Sequence, residues 1–127
     1  MINAINFFEI PSIDFERAVA FYRAILEIEF HHEVFLGIPS AMFPASEDGA
    51  GGAIIHSDTR PSTDGPVLYL NANGKLRAAI ERVEQAGGRI VQPVMSIGDP
   101  GYIAIILDTE GNRIGLHSER EAYDAER

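Results

Sequence analysis

Two stretches of the chain repeat their apolar residues with a helical period. "DFERAVAFYRAIL" (14–26) and "GKLRAAIERVEQAG" (74–87) place them at about i, i+3, i+4 and i+7, which gathers them on one face of an α-helix. Asp14 and Asn73 stand where an N-cap is wanted, and Gly87-Gly88 supply a stop for the second helix. A short apolar piece precedes each helix, "INFFEI" (5–10) and "PVLYL" (66–70). Three β-rich pieces follow each: "EIEFHHEVFL", "SAMFPA" and "GAIIHS" in the first half, "RIVQPVMSI", "YIAIILD" and "RIGLHS" in the second. Turn chemistry separates them, at Gly37-Ile38-Pro39 and Ser46-Glu47-Asp48-Gly49, then at Gly98-Asp99-Pro100-Gly101 and Thr109-Glu110-Gly111-Asn112.

The halves share a register. An offset of 61 residues lays Phe15 on Leu76, Ala18 on Ala79, Val19 on Ile80 and Tyr22 on Val83, and it lays Phe7 on Leu68 and His56 on His117. Each half reads strand, helix, strand, strand, strand. The pattern predicts an α+β fold of two β-α-β-β-β modules in one domain: module one over 1–57, a linker over 58–65, module two over 66–118 and a charged, frayed tail over 119–127.

Composition narrows what such a fold could do. With 127 residues, 46% of them apolar, the chain can bury one core, and no apolar run approaches the length that spans a membrane. The start has no basic segment ahead of an apolar one, so no signal peptide is expected. The absence of cysteine excludes disulfides, thiolate metal sites and cysteine nucleophiles, and it fits a reducing, cytoplasmic setting. A net charge of −9 argues against nucleic acid or an anionic membrane as partner, while a cationic or neutral small molecule meets no such penalty.

The paired modules, with "IDFERAVAFYRAIL" and "LDTEGNRIGLHS", resemble the vicinal oxygen chelate superfamily of glyoxalases, bleomycin-resistance proteins, extradiol dioxygenases and fosfomycin-modifying enzymes. The first is similar to that family's Asp-Leu-x-x-Ala-x-x-Phe-Tyr helix start, the second to its Asp-Pro-x-Gly-Asn-x-Ile-x-Leu final hairpin. The resemblance implies a half-barrel with helices outside, a cavity on the concave face, a small-molecule ligand and a homodimer. It also implies a Gly after the first helix, where this chain has Glu27. Metal-dependent members carry His, Glu or Gln at four cavity positions, which the resemblance places on Phe7, Ile54, Leu68 and Gly115. None of these side chains ligates a divalent cation.

Strand alternation sorts the remaining candidates. It turns Phe7 and Glu9, Ile54 and His56, and Arg113, Gly115 and His117 toward the cavity; register with Phe7 adds Leu68 and Leu70. Phe7, Ile54, Leu68, Leu70 and Arg113 then form a mainly apolar binding surface. Glu9, His56 and His117 each lie two residues beyond a vacant ligand position. Together they form either a displaced carboxylate and two-imidazole set suited to Zn, Ni or Fe, or a metal-free acid/base site acting next to a carbonyl, as in a lyase or isomerase. The bland alternatives are strand-end histidines in solvent and a Glu9 paired with Arg113. No cofactor follows with certainty. The competing functional reading is a non-catalytic protein that binds or sequesters a drug-like cation. His31 and His32 are adjacent on a strand, point to opposite faces and cannot chelate as a pair, and Tyr22 reads as core.

Overall fold

A computed structural model describes residues 4–46, 49–57 and 61–126. Residues 1–3 of predicted module one, Glu47-Asp48 of its second predicted break, linker residues 58–60 and the last residue of the tail lie outside the described residues. Module one runs β1 (Phe7–Ser12), α1 (Phe15–Leu26), β2 (His31–Phe35), β3 (Ile38–Met42) and β4 (Gly51–His56). Module two runs β5 (Leu68–Asn71), α2 (Leu76–Val83), β6 (Arg89–Ser96), β7 (Tyr102–Leu107) and β8 (Arg113–Ser118), and α3 (Arg120–Asp124) follows. Each module has one four-stranded mixed sheet, ordered β1-β4-β3-β2 and β5-β8-β7-β6. The predicted α+β fold and element order are present.

The helix ends depart from the sequence reading. Asp14 caps α1 as expected, accepting the Arg17 N–H at 3.1 Å. Glu27 takes the left-handed conformation at the exit (φ 52°, ψ 50°) that a glycine would adopt without strain. The exit is therefore the ordinary one, and the Glu27 carboxylate meets Arg82 of α2 at 3.1 Å. The position before α2 falls to Lys75, which makes no side-chain cap, rather than to Asn73. The tail caps α2 instead: the Glu126 carboxylate accepts the N–H groups of Leu76 at 3.1 Å and Arg77 at 2.7 Å. Tyr123 of α3 stacks on Tyr102 at 4.2 Å between centroids, with the Arg77 guanidinium over its ring, so the tail is docked rather than frayed.

One continuous buried cluster takes in both helices and the inner faces of both sheets, from Ile10, Phe21 and Ile54 to Leu70, Val83 and Leu116. A polar lock joins the modules at the start of α1. Asp108, in the turn between β7 and β8, accepts the Tyr22 hydroxyl at 2.6 Å, the Asn112 side-chain amide at 2.9 Å and the N–H groups of Glu110 and Asn112. Burial pushes the Tyr22 hydroxyl well above 10, with the Asp108 charge adding to it, so Tyr22 stays a donor. Glu110 accepts the N–H groups of Ile13 and Asp14, and its other oxygen accepts from Arg17 Nε at 2.7 Å and from the Thr109 hydroxyl.

Burial opposes ionisation of Glu110, but the Arg17 guanidinium, the Asp14 N–H, the Thr109 hydroxyl and the Ile13 N–H together outweigh it and hold its carboxyl at about 2, against 4.5 ordinarily. A carboxyl depressed in the folded state stabilises above its unfolded value, and that stabilisation fades as pH falls through the folded one. Wild type should exceed Glu110→Gln by about 2 kcal/mol at neutral pH, discounted for the solvent around Arg17, and the gap should close between pH 4.5 and 2. Urea unfolding of both proteins across that range checks this; a gap independent of pH would contradict it.

Candidate functional site on the open face of the sheets

Strand pairing decides which side chains face away from the helices. Ile10 pairs with Ile54, and Leu70 with Leu116; all four are buried in the common core. Their neighbours Glu9 and Ala53, and Tyr69 and Gly115, therefore share the open face. Phe7, Glu9, Arg113, Gly115 and His117 lie where alternation puts them. Ile54 and Leu70 do not: both are core residues under the helices. Leu68 also turns to the helix side, half-buried against that core. His56 shares Ile54's side of β4 and is exposed at its end.

For Leu68 and Leu70 the cause is parity. The helices superpose with an offset of 61, but the strands superpose at 60 (Ile10 onto Leu70) and 62 (Ile54 onto Leu116). Strand faces alternate with period two, so an odd offset applied to a strand exchanges its faces. His117 corresponds to Ile55, and His56 to the buried Ser118. The two histidines are not equivalent and lie on opposite sides of their sheets.

His117 is held in place. Its Nε2 lies 2.6 Å from the Pro100 carbonyl oxygen, which only accepts, so Nε2 donates to it and, in the neutral ring, Nδ1 is the acceptor. Two aromatic rings shape the open face. A Cβ on Gly115 would fall 2.4 Å from the Tyr69 ring, so that ring occupies the space above Gly115; a Cβ on Gly51 would lie 3.4 Å from the Phe7 ring, an ordinary contact. Tyr69 is 51% exposed and Phe7 48%. Glu9 and Arg113 line one cleft of about 290 Å³, with Leu68, Pro66 and Asn112, where β1 meets β5 and β8.

The model of the Glyoxalase/Bleomycin resistance protein/Dioxygenase superfamily matches residues 4–116. The chain belongs to this superfamily. A glyoxalase-related enzyme from Fulvimarina pelagi is 16% identical over 93% of this chain and 89% of its own, with a TM-score of 0.68. The fosfomycin resistance protein FosX from Listeria monocytogenes is 16% identical over 94% and 93%, with a TM-score of 0.67. A glyoxalase/bleomycin resistance protein from Streptomyces sp. CB03234 is 20% identical over 90% and 99%, also at 0.67. No curated protein sequence matches. At these identities the structures share the superfamily's fold.

One FosX structure holds Mn(II) with 1S,2S-dihydroxypropylphosphonic acid. The present residues do not fit such an ion. In the structural register the superfamily's four metal positions fall on Phe7, Ala53, Val67 and Gly115, none with a donor atom, and the Tyr69 ring fills the space above the last. The displaced set is not assembled either: Glu9 and His117 sit on the open face, His56 on the other. Among the described residues no three His, Asp or Glu side chains form a group that could hold a metal.

Tyr69 was missed because "PVLYL" offers apolar residues at every position. Its one amphipathic side chain, the residue there best suited to half-exposure, was the available signal.

Proposed function

We propose that the chain is a metal-independent binding protein of the glyoxalase/bleomycin-resistance type that holds an organic cation against the open face. The observation that supports this best is the Tyr69 ring above Gly115, which puts an aromatic surface where metal-dependent relatives carry a ligand. The rings of Phe7 and Tyr69 offer π-faces to a cation, and the exposed Glu9 carboxylate offers the countercharge. Arg113 and His117 Nδ1 supply a donor and an acceptor that orient polar groups of the ligand. The net charge of −9 draws a cation to this surface. We infer that a second copy covers the open face, giving a homodimer that encloses the ligand. Proton transfer next to a carbonyl has less support, because it needs a histidine beside Glu9 while His56 faces away and His117 is tied to Pro100.

Fluorescence titration of chelator-stripped protein with acridinium and quinolinium dyes, beside their neutral isosteres, tests the reading. Saturable binding of the cations is expected, about tenfold weaker in Glu9→Gln, which corresponds to ~1.4 kcal/mol. Binding that requires added Zn, Ni or Fe, or that is the same for the neutral isosteres and in Glu9→Gln, would refute it.

A further inference from the structure

A second cavity adjoins the open face, with Tyr69 at its rim. A groove of about 680 Å³ follows the seam between the modules, between the exit of α1 and the turn that leads into α2. Phe8, Phe43, Leu26, Ile28 and Leu68 make most of it apolar. At one end stand Asn71, Asn73 and Lys75.

Hydrogen bonds determine what that polar end presents. Asn71 Oδ1 accepts the Asn73 N–H at 2.9 Å, and Asn73 Oδ1 accepts the Glu119 N–H at 2.7 Å. Both side-chain oxygens are engaged, so each amide is left with its NH₂ to donate. Lys75 is half-buried and makes no ion pair among the described residues. The adjoining N-terminus of α2 does not compete for an anion, since Glu126 already satisfies it. The groove thus ends in three donor groups, one of them cationic.

Internal symmetry shows how the two crossings differ among the described residues. Where α1 starts against the turn between β7 and β8, Tyr22, Asp108, Asn112 and Glu110 fill the crossing. The corresponding crossing sets the start of α2 against Pro44 and Ala50, which flank the connection from β3 to β4. Val83 occupies the place of Tyr22 and has no hydroxyl to donate across it.

We propose that this groove is a ligand site for an organic monocarboxylate with an apolar body. The body lies over Phe8, Phe43 and Leu68, and the carboxylate accepts from Lys75 Nζ and the amides of Asn71 and Asn73. The volume suits a small organic molecule, and a charge-assisted bond from the half-buried Lys75, beside the exposed amides of Asn71 and Asn73, selects the anion over its neutral and cationic analogues. The protein's net charge slows the approach of an anion without changing which head group fits that end.

The test is titration of the full chain with decanoate below its micelle concentration, followed by NMR chemical shifts, with decanol and decylammonium as controls. One-to-one saturable shifts at Leu26, Phe43 and Leu68 are expected. Affinity should fall at least tenfold for both controls and in Lys75→Met, and should be unchanged in Arg113→Ala, which alters the open face only. Absence of saturation, equal affinity for decanol, unaltered decanoate binding by Lys75→Met, or shifts centred on Phe7 and Arg113 would each overturn the proposal. The controls keep the test decisive if Lys75→Met fails to fold, and Arg113→Ala separates it from the fate of the open-face reading.

Discussion

Asp108→Ala is expected to destabilise the protein by about 4 kcal/mol in urea unfolding, with the slope unchanged. One carboxylate serves four donors there, and they belong to three buried residues. The Tyr22 hydroxyl is fully buried, Asn112 is 6% exposed, and the Glu110 N–H sits in the same turn. Removing the acceptor leaves the Tyr22 hydroxyl and the two N–H groups desolvated and unpaired, while the Asn112 amide keeps the Pro11 carbonyl, and this costs more than the bonds themselves contributed. It also loosens the turn that aims Glu110 at the start of α1. Tyr22→Phe removes one donor and leaves Asp108 its other partners, so it should cost about 1 kcal/mol. A loss below about 1 kcal/mol in Asp108→Ala would mean that the network does not join the modules as described.

Gly88→Ala should cost about 3 kcal/mol, while Gly65→Ala stays within about 0.5 kcal/mol. A Cβ at 88 would stand 2.6 Å from the Leu107 carbonyl oxygen and 2.7 Å from the Phe21 ring. Neither can move away: the carbonyl belongs to β7, and Phe21 is 1% exposed in the core. At 65 nothing lies within 4 Å of an added Cβ, and the backbone is not left-handed. Thermal unfolding of both variants checks the contrast; similar melting temperatures would refute the close approach. Gly87-Gly88 read in the sequence as one helix stop. Gly87 does have the left-handed φ (101°) of a stop, whereas Gly88 is there because α1 of the other module packs against its backbone.

That pair of glycines illustrates what a sequence can and cannot carry. Local rules placed Asp14 as the cap of α1, and they placed the turn at 109–112 and the strands "YIAIILD" and "RIGLHS", because each depends on residues within a few positions of one another. The same rules read the Asp108 turn only as a turn. Its partners, Tyr22, Ile13 and Arg17, lie more than eighty residues away, and nothing in its spacing announces them.

The site was legible in part for the same reason. "RIGLHS" and "INFFEI" alternate cleanly, so Phe7, Glu9, Arg113 and His117 were assigned to the open face from their own strands. "GAIIHS" and "PVLYL" are apolar on both faces; alternation in the first had no polar residue within the strand to fix which face is which, and the second was oriented by a repeat offset that holds in the helices but not in the strands. Leu68 and Leu70 were misplaced by that single odd residue, and Ile54 and His56 by the unanchored alternation.

The sequence by itself determined the element order, the doubled module, the superfamily and the lack of donor atoms at its metal positions, all of which rest on residue type and short-range period. Only the tertiary structure decided which face each ambiguous strand presents, that Tyr69 covers Gly115, that the tail caps α2, and that a hydrogen-bond network locks one crossing of the modules while a groove follows the seam at the other among the described residues. Those depend on strand pairing and on contacts between residues far apart in the chain, where a shift of one position reverses the outcome and no local pattern records it.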